Sequence, residues 1–133
     1  MREIKFRAWD KENKIFHYFT LFDIWKNIKY PTHVVTNNEV YYIKDLPIGQ
    51  YTGLKDKNGK EIWEGDIIEI DDDWKSGEGE RGEVMWDEKN AMFRLFCYTK
   101  HGGEGWFMAE NKTWMKLKII GNIYENPELI EKK

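Results

Sequence analysis

One stretch, QYTGLKDKNGKEIWEGDIIEI from Gln50 to Ile70, constrains this chain more than any other. Its short apolar runs read as strands, and they are interrupted at Asp56-Lys57-Asn58-Gly59 and again at Glu64-Gly65-Asp66. Asn58-Gly59 is the kind of dipeptide that supplies the positive φ values of a tight hairpin turn. Gly65 permits a sharp bend, and the Asp66 carboxylate can accept hydrogen bonds from backbone freed by that bend. No helix tolerates such punctuation, so the segment must fold as closely spaced antiparallel strands. Asn58, Gly59, Gly65 and Asp66 are therefore fold-determining rather than chemical.

The flanking chain follows the same logic. Ile4–Trp9 and Lys14–Phe19 alternate with period two around the polar turn Asp10–Asn13, which predicts a hairpin. Thr20 and Asp23 resemble a capping box, and Leu21, Ile24, Trp25 and Ile28 fall at helical spacing, so a short helix is expected over residues 21–29. Tyr30-Pro31 ends it. A second hairpin is expected between Val34-Val35 and Val40–Ile43. The short apolar joint Leu46–Gly49 leads into the central stretch. Beyond Ile70, strands are expected at Glu83–Trp86, Met92–Tyr98, Trp106–Met108 and Lys116–Ile120. Strands spaced about ten residues apart with turns between them suit a small, strongly bent barrel. The expected fold is β-rich α+β: an N-terminal α+β subdomain (1–48) packed on a C-terminal barrel (49–125), then a tail (126–133). No internal repeat is evident.

Composition excludes several functional classes. A single cysteine, Cys97, rules out an internal disulfide and fits a reducing compartment. The N-terminus, MREIKFRAWD, lacks a secretory apolar core, and no apolar run approaches a membrane span of about 18 residues. A cytoplasmic location is expected. The net charge of -3 is uneven, since residues 1–50 carry eight Lys/Arg against six Asp/Glu and residues 51–133 carry thirteen against eighteen. An acidic second half repels phosphates.

Several motifs fail on context. Gly77-x-Gly79-x-x-Gly82 matches a dinucleotide fingerprint, but a strand rather than a helix follows it, and Glu78, Glu80 and Glu83 would face the phosphates. Asp71-Asp72-Asp73 suggests a hard cation, yet an EF-hand loop starting there lacks its glycine and its bidentate glutamate. Cys97 and His101 have no third group to orient them and too few partners for zinc. His101-Gly102-Gly103 would need a nucleophilic serine, and the only serine, Ser76, lacks the required glycine frame. No catalytic, cofactor-binding or metal-binding residue is assigned. Lys5, Arg7, Lys11, Lys14 and Lys26, near Trp9, Tyr18 and Trp25, are the one basic set interleaved with aromatics, and Lys5, Arg7, Lys11 and Lys14 are the candidate nucleic-acid contact.

MREIKFRAWD at the start, QYTGLKDKNGKEIWEGDIIEI in the middle and IIGNIYENPELI near the end together resemble the YopX family of bacteriophage and prophage proteins from low-GC Gram-positive hosts. The three blocks span the chain. The resemblance implies a small N-terminal α+β part joined to an SH3-like β-barrel. It brings no catalytic motif. The expected function is that of a non-enzymatic phage accessory protein acting by protein–protein binding or self-assembly, with a homo-oligomer expected. A nucleic-acid-binding factor using Lys5, Arg7, Lys11 and Lys14 is the alternative, and a metal-assisted hydrolase at Asp71–Asp73 is the third reading.

Overall fold

A computed structural model describes residues 3–25, 33–36, 39–43, 45–70, 80–98, 104–106 and 116–130. By internal contacts the chain divides into two units, Met1–Tyr51 and Thr52–Lys133. The division falls inside a strand, a few residues beyond the Leu46–Gly49 joint. The described elements are β-rich, with two antiparallel sheets, a separate two-stranded ribbon and very little helix.

In the first unit, β1 (Lys5–Asp10) and β2 (Ile15–Thr20) form the expected hairpin, and the start of β5 (Ile48–Lys55) pairs with β1 on its other side. Ala8 and Phe19 are buried with Ile43, and Phe6 and Leu46 pack against them. The helix α1 covers Leu21–Trp25, and the rest of the expected span lies outside the described residues. Its start is capped as the sequence implies: the Thr20 backbone N–H and hydroxyl both donate to Asp23 Oδ2, at 2.7 and 3.1 Å. The ribbon joins β3 (His33–Thr36) to β4 (Glu39–Tyr42).

In the second unit, the end of β5 and β6 (Glu61–Trp63) flank the Asp56 turn. A five-stranded sheet follows, ordered β10-β9-β8-β7-β11, from β7 (Asp66–Ile70), β8 (Glu80–Asp87), β9 (Met92–Tyr98), β10 (Glu104–Trp106) and β11 (Lys118–Asn122). Among the described residues this sheet ends at β10 and β11, and no pairing closes it into a barrel. Strand β8 begins three residues earlier than its apolar pattern indicates, because Glu80 pairs with Ile70. Strand β10 likewise takes in Glu104 and Gly105, assigned to the turn on glycine content but paired with Tyr98 and Cys97.

The core of this unit comprises Ile62, Ile68, Val84, Leu95, Cys97, Leu117 and Ile119. Gly82 lies on its inner face opposite Cys97. A Cβ there would come within 3.2 Å of Cys97 Sγ and 3.3 Å of Leu95 Cβ. The third glycine of the apparent dinucleotide fingerprint is thus a packing residue inside a strand.

Two backbone devices tie the central stretch to the C-terminal segment. The buried Asp56 carboxylate accepts from the backbone N–H groups of Asn58 and Lys60, both at 2.9 Å, through Oδ1. Its Oδ2 accepts from Ile119, 63 residues away, at 3.1 Å. Of the Asn58-Gly59 pair only Gly59 has positive φ (77°), which corrects the expected two-residue left-handed turn. The Asp56 side chain, rather than Asn58 geometry, holds this loop. Gly65 (φ 91°) donates to Val84 O at 2.8 Å and accepts from Ile123 N at 2.9 Å, with Tyr124 and Ile123 against the place a Cβ would take. Asp66 Oδ2 accepts from Trp63 N at 2.7 Å, closing the bend as its position implied. Of the expected tail, residues 126–130 fold: Asn126 N donates to Asn122 O, a 3-10 turn covers Pro127–Leu129, and Arg81 Nη1 donates to Leu129 O at 3.2 Å.

The structure also shows a local repeat that the sequence reading missed. Trp9-Asp10-Lys-Glu-Asn13-Lys14-Ile-Phe16-His17 and Trp86-Asp87-Glu-Lys-Asn90-Ala91-Met-Phe93-Arg94 build the same hairpin end. In each the aspartate accepts from the two backbone N–H groups at i+2 and i+3 and from the asparagine side-chain amide at 2.7 Å. In each the residue after the asparagine takes positive φ, Lys14 at 55° and Ala91 at 51°. A Trp–Phe pair packs beside each turn, with centroids 4.9 and 5.0 Å apart. The two segments share four letters in the pattern Trp-Asp-x-x-Asn-x-x-Phe, and their common role shows in the matching hydrogen bonds.

Burial alone would raise the Asp56 carboxyl, but the N–H groups of Ile119, Lys60 and Asn58, with the Lys60 charge, hold it below the ordinary aspartate value of 3.8. A depressed folded-state value contributes stability above pH 3.8 that is lost as pH falls through it. Asp56→Ala is expected to cost about 2–4 kcal/mol at neutral pH in urea unfolding, with Asp56→Asn less damaging. The gap to wild type should narrow below pH 3.8.

Candidate binding face

Strand pairing sorts the side chains of the five-stranded sheet into two faces, because directly opposed residues share one. Val84 opposes Leu95 and Gly82 opposes Cys97, which defines the inner face. The outer face carries Glu83 opposite Phe96, Arg81 opposite Tyr98 and Met85 opposite Arg94, and Trp106 opposite Phe96 extends it onto β10. Most strands on a sheet with one wet face alternate apolar and polar residues, but Met92-Phe93-Arg94-Leu95-Phe96-Cys97-Tyr98 carries apolar residues on both faces, with Arg94 the one charge. The outer half of that pattern is the sequence signal for this face.

The rings form a connected ladder. Phe96 packs edge-on against Tyr98 with centroids 5.4 Å apart and against Trp106 at 5.2 Å. The Arg94 guanidinium stacks over Trp106 at 5.0 Å while its Nη1 donates to Asp87 Oδ2 at 2.7 Å. Such a sandwich of carboxylate, guanidinium and indole fixes a long side chain on a sheet surface. Trp106 nevertheless keeps 36% of its surface exposed, and Phe96, Tyr98 and Met85 are half-buried. Single exposed apolar residues are ordinary on any protein, whereas a linked, partly exposed aromatic set makes this face the candidate binding surface.

Electrostatics mark one end of the face. Burial pushes the Glu83 carboxyl up, and the negative charge of Glu64 pushes it further. Tyr98 is raised by burial and by the Glu83 charge. At the other end, the Asn90 amide, then Arg94, outweigh desolvation and hold the Asp87 carboxyl at about 2. The face thus has one neutralised carboxylate and one strained one. Asp66 and Asp56 are occupied by backbone N–H groups and take no part.

The basic set named from sequence is dispersed. Lys5 Nζ sits 3.5 Å from Glu3 and 4.7 Å above the Tyr51 ring. Arg7 is buried, with 5% of its surface exposed, and stacks 4.1 Å over Phe16. Lys11 and Lys14 are exposed at the hairpin turn beside Glu12. Alternation alone could not reveal that Arg7 points into packed aromatics. Asp71–Asp73 and His101 lie outside the described residues. Cys97 is buried in the core, and among the described residues no group of three or more His, Cys, Asp or Glu is placed to hold a metal ion. No described helix is long and apolar enough to cross a membrane.

A carboxyl raised in the folded state opposes folding once it ionises, so Glu83 should lower stability as pH rises above the ordinary glutamate value of 4.5. Glu83→Gln is expected to raise Tm at pH 7, with the difference vanishing below pH 4.5. An unchanged or lowered Tm at pH 7 would show that the carboxylate is better solvated than this geometry implies.

Known proteins agree with this architecture. Protein EF1440 from Enterococcus faecalis has a solved structure that resembles this one with a TM-score of 0.59 and 27% sequence identity, over 98% of this chain and 100% of that one. A comparison with curated proteins gave no match. The family model described as YopX protein matches residues 5–131, nearly the whole length, and on that match the chain belongs to the YopX family.

Proposed function

We propose that the protein is a non-enzymatic accessory protein of a bacteriophage or prophage, acting in the host cytoplasm by binding another protein through the outer face of its five-stranded sheet. The observation that carries this reading is the Phe96–Tyr98–Trp106 ladder, which is stacked, anchored by Arg94 and still partly open to solvent. Aromatic and arginine side chains dominate the energetics of protein interfaces because they bury large areas with little loss of rotamer freedom. The SH3-like barrel and the N-terminal α+β division implied by the family resemblance belong to this proposal, as does a homo-oligomeric state.

Nucleic-acid binding through Lys5, Arg7, Lys11 and Lys14 is the weaker reading. Lys5 and Arg7 are engaged with rings and Glu3, which leaves Lys11 and Lys14 with few charges to add. A hydrolase at Asp71–Asp73 is weaker still, and millimolar calcium, magnesium or manganese is expected to leave Tm unchanged.

The central test is a pull-down from infected or lysogenic host cells, comparing wild type with the Phe96→Ala/Trp106→Ala double variant. The expected result is a partner, or a second copy of the chain, retained by wild type and weakened about 100-fold or more by the double variant. Thermal unfolding should still show a folded variant. Retention that is indifferent to both substitutions would place binding elsewhere.

A further inference from the structure

The chain's own aromatic faces repeatedly take cations. Arg94 lies over Trp106 with Asp87 behind it, Arg7 lies over Phe16, and Lys5 lies over Tyr51. The attraction is that of a positive charge for the negative face of a ring, strengthened when a carboxylate completes the charge balance. The other half of the outer face has the same ingredients in the same layout. Glu83 lies directly opposite Phe96 and one step along the strand from the Arg81–Tyr98 pair. Phe96 bridges Tyr98 to Trp106. Among the described residues, the arginines of this face are engaged elsewhere: Arg94 with Asp87 and Trp106, and Arg81 with the Leu129 carbonyl.

Resting on the docking face proposed above, we infer that its partner segment presents an arginine or lysine side chain, which lies along Phe96 and Tyr98 with its charged head on Glu83. The half-buried carboxylate beside Glu64 is the negative charge such a head would neutralise, and burial and the Glu64 charge both raise its pKa. The aliphatic stem of a lysine or arginine suits the rings, and the head needs only one acceptor. A polyanion is disfavoured, because Glu83 and Glu64 would oppose it.

The probe is an extended, fluorescently labelled peptide of about nine alternating valine and threonine residues with arginine at its centre, compared with lysine, norleucine and glutamate versions by anisotropy. Wild type is expected to bind the arginine and lysine peptides about tenfold or more tighter than the norleucine one, with the glutamate peptide weakest. Glu83→Gln should bring the cationic and norleucine peptides within about twofold of each other, while Phe96→Ala/Trp106→Ala should weaken all of them. Equal binding of arginine and norleucine peptides by wild type would overturn the cation assignment and leave the docking face standing. No binding of any peptide at millimolar concentration would overturn both. Preference for an oligo(dT) strand over every peptide would overturn the inference in favour of a polyanion.

Discussion

A single buried carboxylate joins the parts of the second unit that lie far apart in sequence. Asp56 accepts two N–H groups from its own turn and one from Ile119 on the last strand. Loop closure across so many residues costs conformational entropy, and a charge-assisted hydrogen bond in a dry site is a strong return contact. Gly65 makes the second tie, giving its N–H to Val84 and its carbonyl to Ile123. Two of the sequence blocks that identify the family, the central stretch and IIGNIYENPELI, are therefore halves of one joint. The dense glycine and charge of the central stretch serve that joint.

The joint has a consequence for binding. With β7 and β11 fixed through it, the β8–β9 hairpin presents Val84, Leu95 and Cys97 inward, and period-two geometry sends Glu83, Phe96 and Tyr98 outward. The outer rings then stack on one another and on Trp106. Asp87 braces the far end twice, by closing its own turn and by holding Arg94. A face pre-ordered in this way would lose little side-chain freedom on docking the proposed partner.

Much of the fold was legible because turn chemistry is local. Thr20 and Asp23 announced the helix start, Gly65-Asp66 announced the bend, and Glu61–Trp63 and Met92–Tyr98 announced strands by composition. What escaped depended on contacts between distant residues. The reach of Asp56 to Ile119 has no sequence signature, and neither does its hold on the Asn58 and Lys60 N–H groups of its own turn. The two matching hairpin ends share Trp-Asp-x-x-Asn-x-x-Phe, a spacing explained by the hydrogen bonds they have in common. The candidate face escaped for a related reason: apolar residues on both sides of β9 read as core until pairing assigned each side. The basic set shows the converse, since charge can be counted from sequence while the burial of Arg7 cannot.

Amide hydrogen exchange on the free protein tests the joint most directly. The Ile119, Gly65 and Ile123 N–H groups should exchange only through global unfolding, at one shared free energy equal to that from urea denaturation. Asp56→Asn should lower all three together. Faster exchange of Ile119 by a separate local opening, with Gly65 and Ile123 still at the global limit, would contradict the role assigned to Asp56.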